Sequence, residues 1–171
     1  MKNSEKVCSS VFFIVIGAIL IIGMAVRAEA GSVKLSMADF IPDGYAYNTY
    51  GNEYAKDFDN GYLKASGANN TCLAAPVKFP AAATRVKTGT VYARDNNASE
   101  DSWFCLYSVQ MTTGTTTELG CASTTGNSNV VEPFAFTFDT KALSKSAQYY
   151  VGGCIHPDTF VYGVQLNYVV P

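Results

Sequence analysis

The sequence predicts an all-β protein, an antiparallel two-sheet β-sandwich of jelly-roll-like character behind an N-terminal apolar helix that serves as a signal peptide. Three observations predict it. Runs of strand length rich in Val, Thr, Tyr and Phe recur between turns rich in Gly, Asn, Asp and Ser. No amphipathic run of helical length follows Arg27, and Cys72, Cys105, Cys121 and Cys154 all fall inside the strand-like runs. Two packed sheets suit this pattern better than a closed barrel or a βαβ fold, and no fixed-period repeat competes with it.

Residues 1–30 read as the signal. Lys2, Glu5 and Lys6 open it, Val7 to Val26 is uncharged, and Arg27 precedes Ala28-Glu29-Ala30, a small-x-small triplet that predicts cleavage after Ala30. The apolar stretch could just cross a bilayer, so an uncleaved anchor is the alternative, and membrane contact is expected through this segment alone. Cys8 precedes the apolar run and leaves with the signal. An even number of cysteines in an exported chain predicts two structural disulfides, in a secreted, extracellular or periplasmic protein.

The signal carries three of the twelve basic and two of the fourteen acidic residues, so the remaining 141 residues have nine and twelve, a net charge near −3. Nucleic acid finds nothing to bind in that balance. A single domain of this size can bury a sizeable core, which the disulfides reinforce.

Residues 31–61 are the least patterned and are expected to form an irregular Tyr-rich segment, with Pro42-Asp43-Gly44 as a turn. Tyr45, Tyr47, Tyr50 and Tyr54 either make a ligand-contact rim or half-bury their rings over a sheet edge. Residues 62–171 are expected to form the sandwich. Tyr62 to Ala65 is its first strand. Leu73, Ala75, Val77 and Phe79 then alternate until Pro80, with Pro76 pointing to an edge or a bulge. In Arg85 to Arg94, Val86, Thr88, Thr90 and Tyr92 share one face, and Val91 and Ala93 the other. Strands are expected over Ser102–Met111, Thr115–Ser123, Val130–Asp139, Ala147–Ile155 and Phe160–Val170. Trp103 shares a face with Cys105, Tyr107 and Val109, which predicts a core position.

One register can be derived. If Thr112-Thr113-Gly114 is a three-residue hairpin loop with Gly114 left-handed, Met111 faces Thr115, Val109 faces Thr117, Tyr107 faces Leu119, and Cys105 faces Cys121. Opposed residues of an antiparallel pair bring their Cβ atoms within disulfide reach. Cys72 then bonds Cys154 by elimination. A slip of one or two residues in the hairpin would restore the other pairings that four cysteines permit.

Chemistry is sparsely signalled. Cys154-x-His156 is a weak metal pattern beside an oxidised pair. His156, the single histidine, belongs to His156-Pro157-Asp158-Thr159, which reads as a tight turn, and no Gly-x-Ser-x-Gly elbow supplies a nucleophile. No cofactor and no catalytic residue are expected. Asp95, Glu100 and Asp101, around Asn96-Asn97, are weak calcium candidates, with a polar turn as the alternative. Asp57 to Gly61 departs from a calcium loop, because its glycine comes early and no glutamate closes it. Asn97-Ala98-Ser99 and Asn69-Asn70-Thr71 match the glycosylation pattern.

The run Ala75-Pro76-Val77-Lys78-Phe79-Pro80, the strand ending in Asp95-Asn96, the Leu106 strand, Tyr149-Tyr150-Val151 and the closing Tyr162-Gly163-Val164-Gln165-Leu166-Asn167-Tyr168 together resemble a layout among uncharacterised secreted bacterial all-β proteins. That resemblance implies a jelly-roll or sandwich module without an assigned activity, and the four cysteines depart from it. The first expectation is an exported non-enzymatic module with a structural or binding role at the cell surface, its partner an unknown surface ligand or another copy. In that reading exposed Tyr rings or Trp103 could stack on sugar. The alternatives are a fibre or pilus-like subunit that adds residues 31–41 to its neighbour as a strand, and, last, a carboxylate-based glycoside hydrolase.

Overall fold

The computed structural model describes residues 29–42, 54–66, 70–139 and 142–171. Most of the signal segment and Tyr45, Tyr47 and Tyr50 lie outside the described residues. Twelve strands form among those described: β1 (Glu29–Ser36), β2 (Ile41–Pro42), β3 (Tyr54–Asp57), β4 (Tyr62–Ala65), β5 (Thr71–Val77), β6 (Arg85–Asp95), β7 (Trp103–Gln110), β8 (Thr116–Ser123), β9 (Glu132–Ala135), β10 (Thr137–Phe138), β11 (Ala147–Ile155) and β12 (Thr159–Val170). One sheet runs β3-β4-β12-β6-β9, with β1 also on β12, and the other runs β10-β8-β7-β11-β5-β2. The two antiparallel sheets pack face to face. From β4 to β7 the chain crosses between them at every step, as a jelly-roll-like sandwich requires.

Period-two alternation sets the inner faces. Leu73, Ala75 and Val77 of β5 turn inward with Phe104 and Leu106 of β7 and Val151 of β11, and from the other sheet Leu63, Val91 and Leu166 meet them. Burying a side chain of this size stabilises the fold by about 1.5–3 kcal/mol. Two bulges reset the alternation. On β6 the partners step from Asn167↔Thr88 to Tyr168↔Val86, so Lys87 is the extra residue. Val86 therefore joins Val91 and Ala93 in the core and parts from Thr88, Thr90 and Tyr92, with which strict alternation had grouped it. On β12 Tyr162 is extra, which lets Val161, Val164 and Leu166 all turn inward.

The expected strand over Val130–Asp139 is two strands in different sheets. β9 pairs with β6 and β10 with β8, and the chain turns the corner at Phe136, whose N–H donates to the Gly89 carbonyl at 3.0 Å. Phe136 is buried there and stacks on Phe138, ring centroids 5.6 Å apart. Pro76 pairs with Tyr150 on one side, while β2 reaches only Leu73 and Ala74 on the other, so among the described residues no strand pairs with the proline on that edge.

The described parts of residues 31–61 contain regular structure that their pattern did not suggest. A 3₁₀ turn over Met37–Asp39 and β3 fall inside this stretch, β1 runs into it from Glu29, and Leu35, Met37 and Phe40 are buried in the core. Ser36 and Asp39 cap the turn reciprocally. The Ser36 hydroxyl accepts from the Ala38 N–H at 3.2 Å, and the Ser36 N–H donates to Asp39 Oδ2 at 2.7 Å. The segment proposed as a donor for a neighbouring subunit is thus seated within its own sheet, and strand addition in trans would first have to withdraw three core side chains.

Cys72 is bonded to Cys154, across β5 and β11, and Cys105 to Cys121, across β7 and β8. The hairpin register around the second bridge is reached by a different route from the derivation. The loop is four residues, Met111 to Gly114, because Gln110 N–H donates to the Thr115 carbonyl at 2.9 Å. Val109 therefore faces Thr116 and Tyr107 faces Glu118. Leu119 is then an extra residue on β8, and the two one-residue departures cancel at the cysteines. Gly114 does adopt φ 71°, the left-handed turn position. Both bridges lie on the outer face of one sheet and close loops of different length, with sequence separations of 82 and 16. Loop-closure entropy predicts that Cys72→Ala/Cys154→Ala costs about 4.5 kcal/mol and Cys105→Ala/Cys121→Ala about 3 kcal/mol. Urea unfolding of the two double variants should preserve that order.

Candidate functional site

The calcium candidates do not converge. Asp95 ends β6 with 1% of its surface exposed, and its carboxyl accepts from the Thr124 hydroxyl, from the Thr159 hydroxyl at 3.1 Å and from the Asn97 N–H at 2.9 Å. Ser102 completes the cluster: its N–H donates to Thr124 Oγ1 at 2.8 Å, its hydroxyl donates to Thr159 Oγ1 at 2.9 Å and accepts from the His156 N–H at 2.9 Å. Glu100 points away to His156, Oε2 to Nδ1 2.7 Å, and Asp101 is exposed. A buried acid ringed by hydroxyl donors is a structural clasp between loops. Sequence reading missed it because Thr124 and Ser102 carry no motif.

His156 sits where the turn was expected, with the Thr159 N–H donating to its carbonyl at 3.2 Å and Asp158 at φ 68°. The neighbouring Ser102 hydroxyl is fully buried and already both donates and accepts, so it is no nucleophile. Asp57 likewise serves a turn, between β3 and β4. It accepts from the Asn60 N–H at 3.0 Å and side-chain amide at 2.9 Å, and these bonds hold its carboxyl below the usual range. Among the described residues, the trio whose ligand atoms fall within 4.8 Å of one another is Cys105, Cys121 and Glu118, and its sulfurs are joined to each other. Tyr54, the described member of the proposed tyrosine rim, is half-buried against the core.

Trp103 corrects a second expectation. It does share its face with Cys105 and Tyr107, but that face is the outside of the sheet, because Phe104 and Leu106 take the inside; Trp103 is 38% exposed. Beside it on β11 stands Cys154, followed on the same face by Gly152 and Tyr150, whose ring stacks on Tyr107 at 5.1 Å. Both faces of β7 are apolar, which is why alternation alone could not orient it. Burial, reinforced by the charge of Glu118, pushes the Tyr107 phenol above its ordinary 10.0.

A surface where polar and aromatic groups converge lies on the other sheet. β4 covers β12 only at Phe160 and Val161, and beyond the Tyr162 bulge β1 takes over the same edge. A Cβ on Gly163 would stand 2.6 Å from the Leu35 carbonyl oxygen, so glycine is what lets β1 approach there. The change of partner opens a cleft of about 410 Å³, walled by the Tyr92 and Tyr162 rings, with Lys34, Ser36, Asp39 and Gln165 around it. Tyr92 is 38% exposed. Tyr162 is propped edge-on by Tyr62, centroids 5.9 Å apart. Asp39 gives Oδ2 to its cap with Ser36, which leaves Oδ1 without a partner among the described residues.

No protein-family model and no curated protein matches the chain. Among solved structures, the fold is similar to that of a Podospora anserina GH26-CBM35 β-(1,4)-mannanase, with a TM-score of 0.50 and 11% sequence identity. The likeness covers 82% of this chain and 28% of that one, so this chain spans well under a third of the mannanase's length. At such identity the shared property is the fold.

Two outcomes follow from the clasp and from Tyr107. Asp95→Ala, which strands two buried hydroxyl donors and the half-buried Asn97 N–H, should lower unfolding free energy by about 2–4 kcal/mol, read by chemical denaturation. The folded state holds the Tyr107 proton more tightly than the unfolded chain. Its contribution is therefore complete below pH 10 and declines as pH rises toward the folded value, and Tyr107→Phe should flatten that alkaline loss in melting curves.

Proposed function

We propose that this chain is an exported, non-enzymatic binding module that works outside the plasma membrane and holds carbohydrate in the Tyr92–Tyr162 cleft. The observation that carries the reading is the pairing of two surface tyrosine rings with uncommitted polar groups in one open cleft. Sugars present C–H faces that pack on aromatic rings and hydroxyls that need directed partners; Asp39 Oδ1 and Gln165 Oε1 offer acceptors and Lys34 a donor, the Gln165 amide nitrogen being given to Asn167 at 3.0 Å. The sandwich fold, shared with part of the GH26-CBM35 mannanase, supports it. Two disulfides are the mark of a chain that folds under oxidising conditions, which supports export.

A non-catalytic role is supported by the state of the acids and of His156. Asp95 is buried in its clasp, Glu100 is paired, and the Ser102 hydroxyl is saturated. Residues 31–171, screened on a glycan array, should retain at least one soluble oligosaccharide. Tyr92→Ala should weaken that retention at least tenfold, about 1.4 kcal/mol, while Trp103→Ala, on the opposite sheet, should leave it unchanged. Loss with Trp103→Ala and retention with Tyr92→Ala would move the site to the other face and refute this one.

A further inference from the structure

A second opening, away from the tyrosine cleft, has a different chemistry. Where β5 runs out into Lys78-Phe79-Pro80, the chain faces the segment from Leu143 through the first residues of β11, Ala147 and Gln148, and between them lies a groove of about 580 Å³. Its walls are apolar: Phe79, Leu143, Tyr149 and the two prolines Pro76 and Pro80. Prolines bring no N–H, so this wall has fewer backbone donors that need water.

The aromatic walls are fixed. Phe79 meets Tyr149 edge-on at 5.3 Å and Tyr168 at 6.0 Å. The Tyr149 hydroxyl accepts from the Ser144 N–H at 2.5 Å and donates to the Ser144 carbonyl at 3.0 Å, so its polar tip is spent and its ring remains as wall. The rim is cationic. Lys78 and Lys145 border the groove, no Asp or Glu lines it, and neither lysine has an acidic partner among the described residues. In a chain of net charge −2 that is a local reversal of sign.

From apolar walls and a two-lysine rim, we infer that this groove binds a small free amphiphile with one anionic head, a medium-chain fatty acid being the simplest, with the chain along Phe79, Leu143 and Tyr149 and the carboxylate between Lys78 and Lys145. The volume lies in the range of pockets that enclose small ligands. Each methylene that enters adds about 0.8 kcal/mol, about fourfold in affinity. Two exposed lysines, at a few-fold each, together contribute about tenfold.

Titration calorimetry of residues 31–171 with octanoate, decanoate and dodecanoate, all below their micelle concentrations, tests it. Saturable one-site binding that tightens with each added methylene is expected, with dodecyltrimethylammonium, the same tail under a cationic head, at least tenfold weaker. Lys78→Ser/Lys145→Ser, both at exposed positions, should erase the preference for the anionic head and leave the tail-length series in place. Ala147→Trp, which fills the groove, should abolish binding of both heads while thermal melting confirms folding. Equal binding of the two heads, affinity independent of chain length, or an isotherm untouched by the lysine pair would overturn the inference. So would retention on phosphatidylglycerol vesicles without binding of monomeric dodecanoate, which would assign the patch to a membrane surface. Neither result bears on the glycan cleft, which is read out by a different ligand on the other sheet.

Discussion

A twelve-residue strand has to satisfy its backbone along both edges, and in β12 that demand organises the molecule. One edge is taken by β6 over nearly its full length. The other is divided, with β4 covering Phe160 and Val161 and β1 the stretch beyond. Unpaired buried backbone groups are too costly to leave in a sandwich. The N-terminal residues are therefore drawn in to complete the sheet, and Leu35, Met37 and Phe40 are carried into the core with them. The bulge at Tyr162 marks the change of partner. The cleft there is a by-product of hydrogen-bond accounting as much as a purpose-built feature, which is why it combines backbone irregularity, a redirected aromatic side chain and a capped turn in one place.

Much of this architecture was legible from residues 62 onward. Period-two runs bounded by turn residues gave the strands of the sandwich, and the hairpin gave the Cys105–Cys121 pair, because both signals are local; Cys72–Cys154 followed only by elimination. Long-range requirements escaped the same reading. Val33, Leu35 and Met37 of the N-terminal segment do alternate with Ser32, Lys34 and Ser36, but the run is short and does not say which strand it joins. The split of Val130–Asp139 at Phe136 depends on two sheets being near enough to share one segment. Face assignments failed at Val86 and at Trp103 for related reasons: one extra residue at Lys87 inverts parity, and a strand apolar on both sides does not say which side is in.

The site was less visible than the fold. Tyr92, Tyr162, Asp39 and Gln165 come from distant parts of the chain and form no motif; bulge geometry brings them together. The acids that did cluster in sequence, Asp95, Glu100 and Asp101, separate in space. The buried one is held by threonine and asparagine, and the outer two face different partners or solvent. Proximity in sequence made a metal loop only a weak candidate beside a polar turn, and desolvation of Asp95 favours hydroxyl and amide donors close at hand.

Both covalent bridges join neighbouring strands of a single sheet, and neither crosses from one layer to the other. The sulfurs therefore resist fraying within one leaf of the sandwich but do nothing to clamp the leaves together. That task falls to side-chain burial between them, a force that weakens on cooling and in chaotropes alike. A fully oxidised molecule can accordingly come apart like an opened book, with one page still bound along its lines and the other free to unravel.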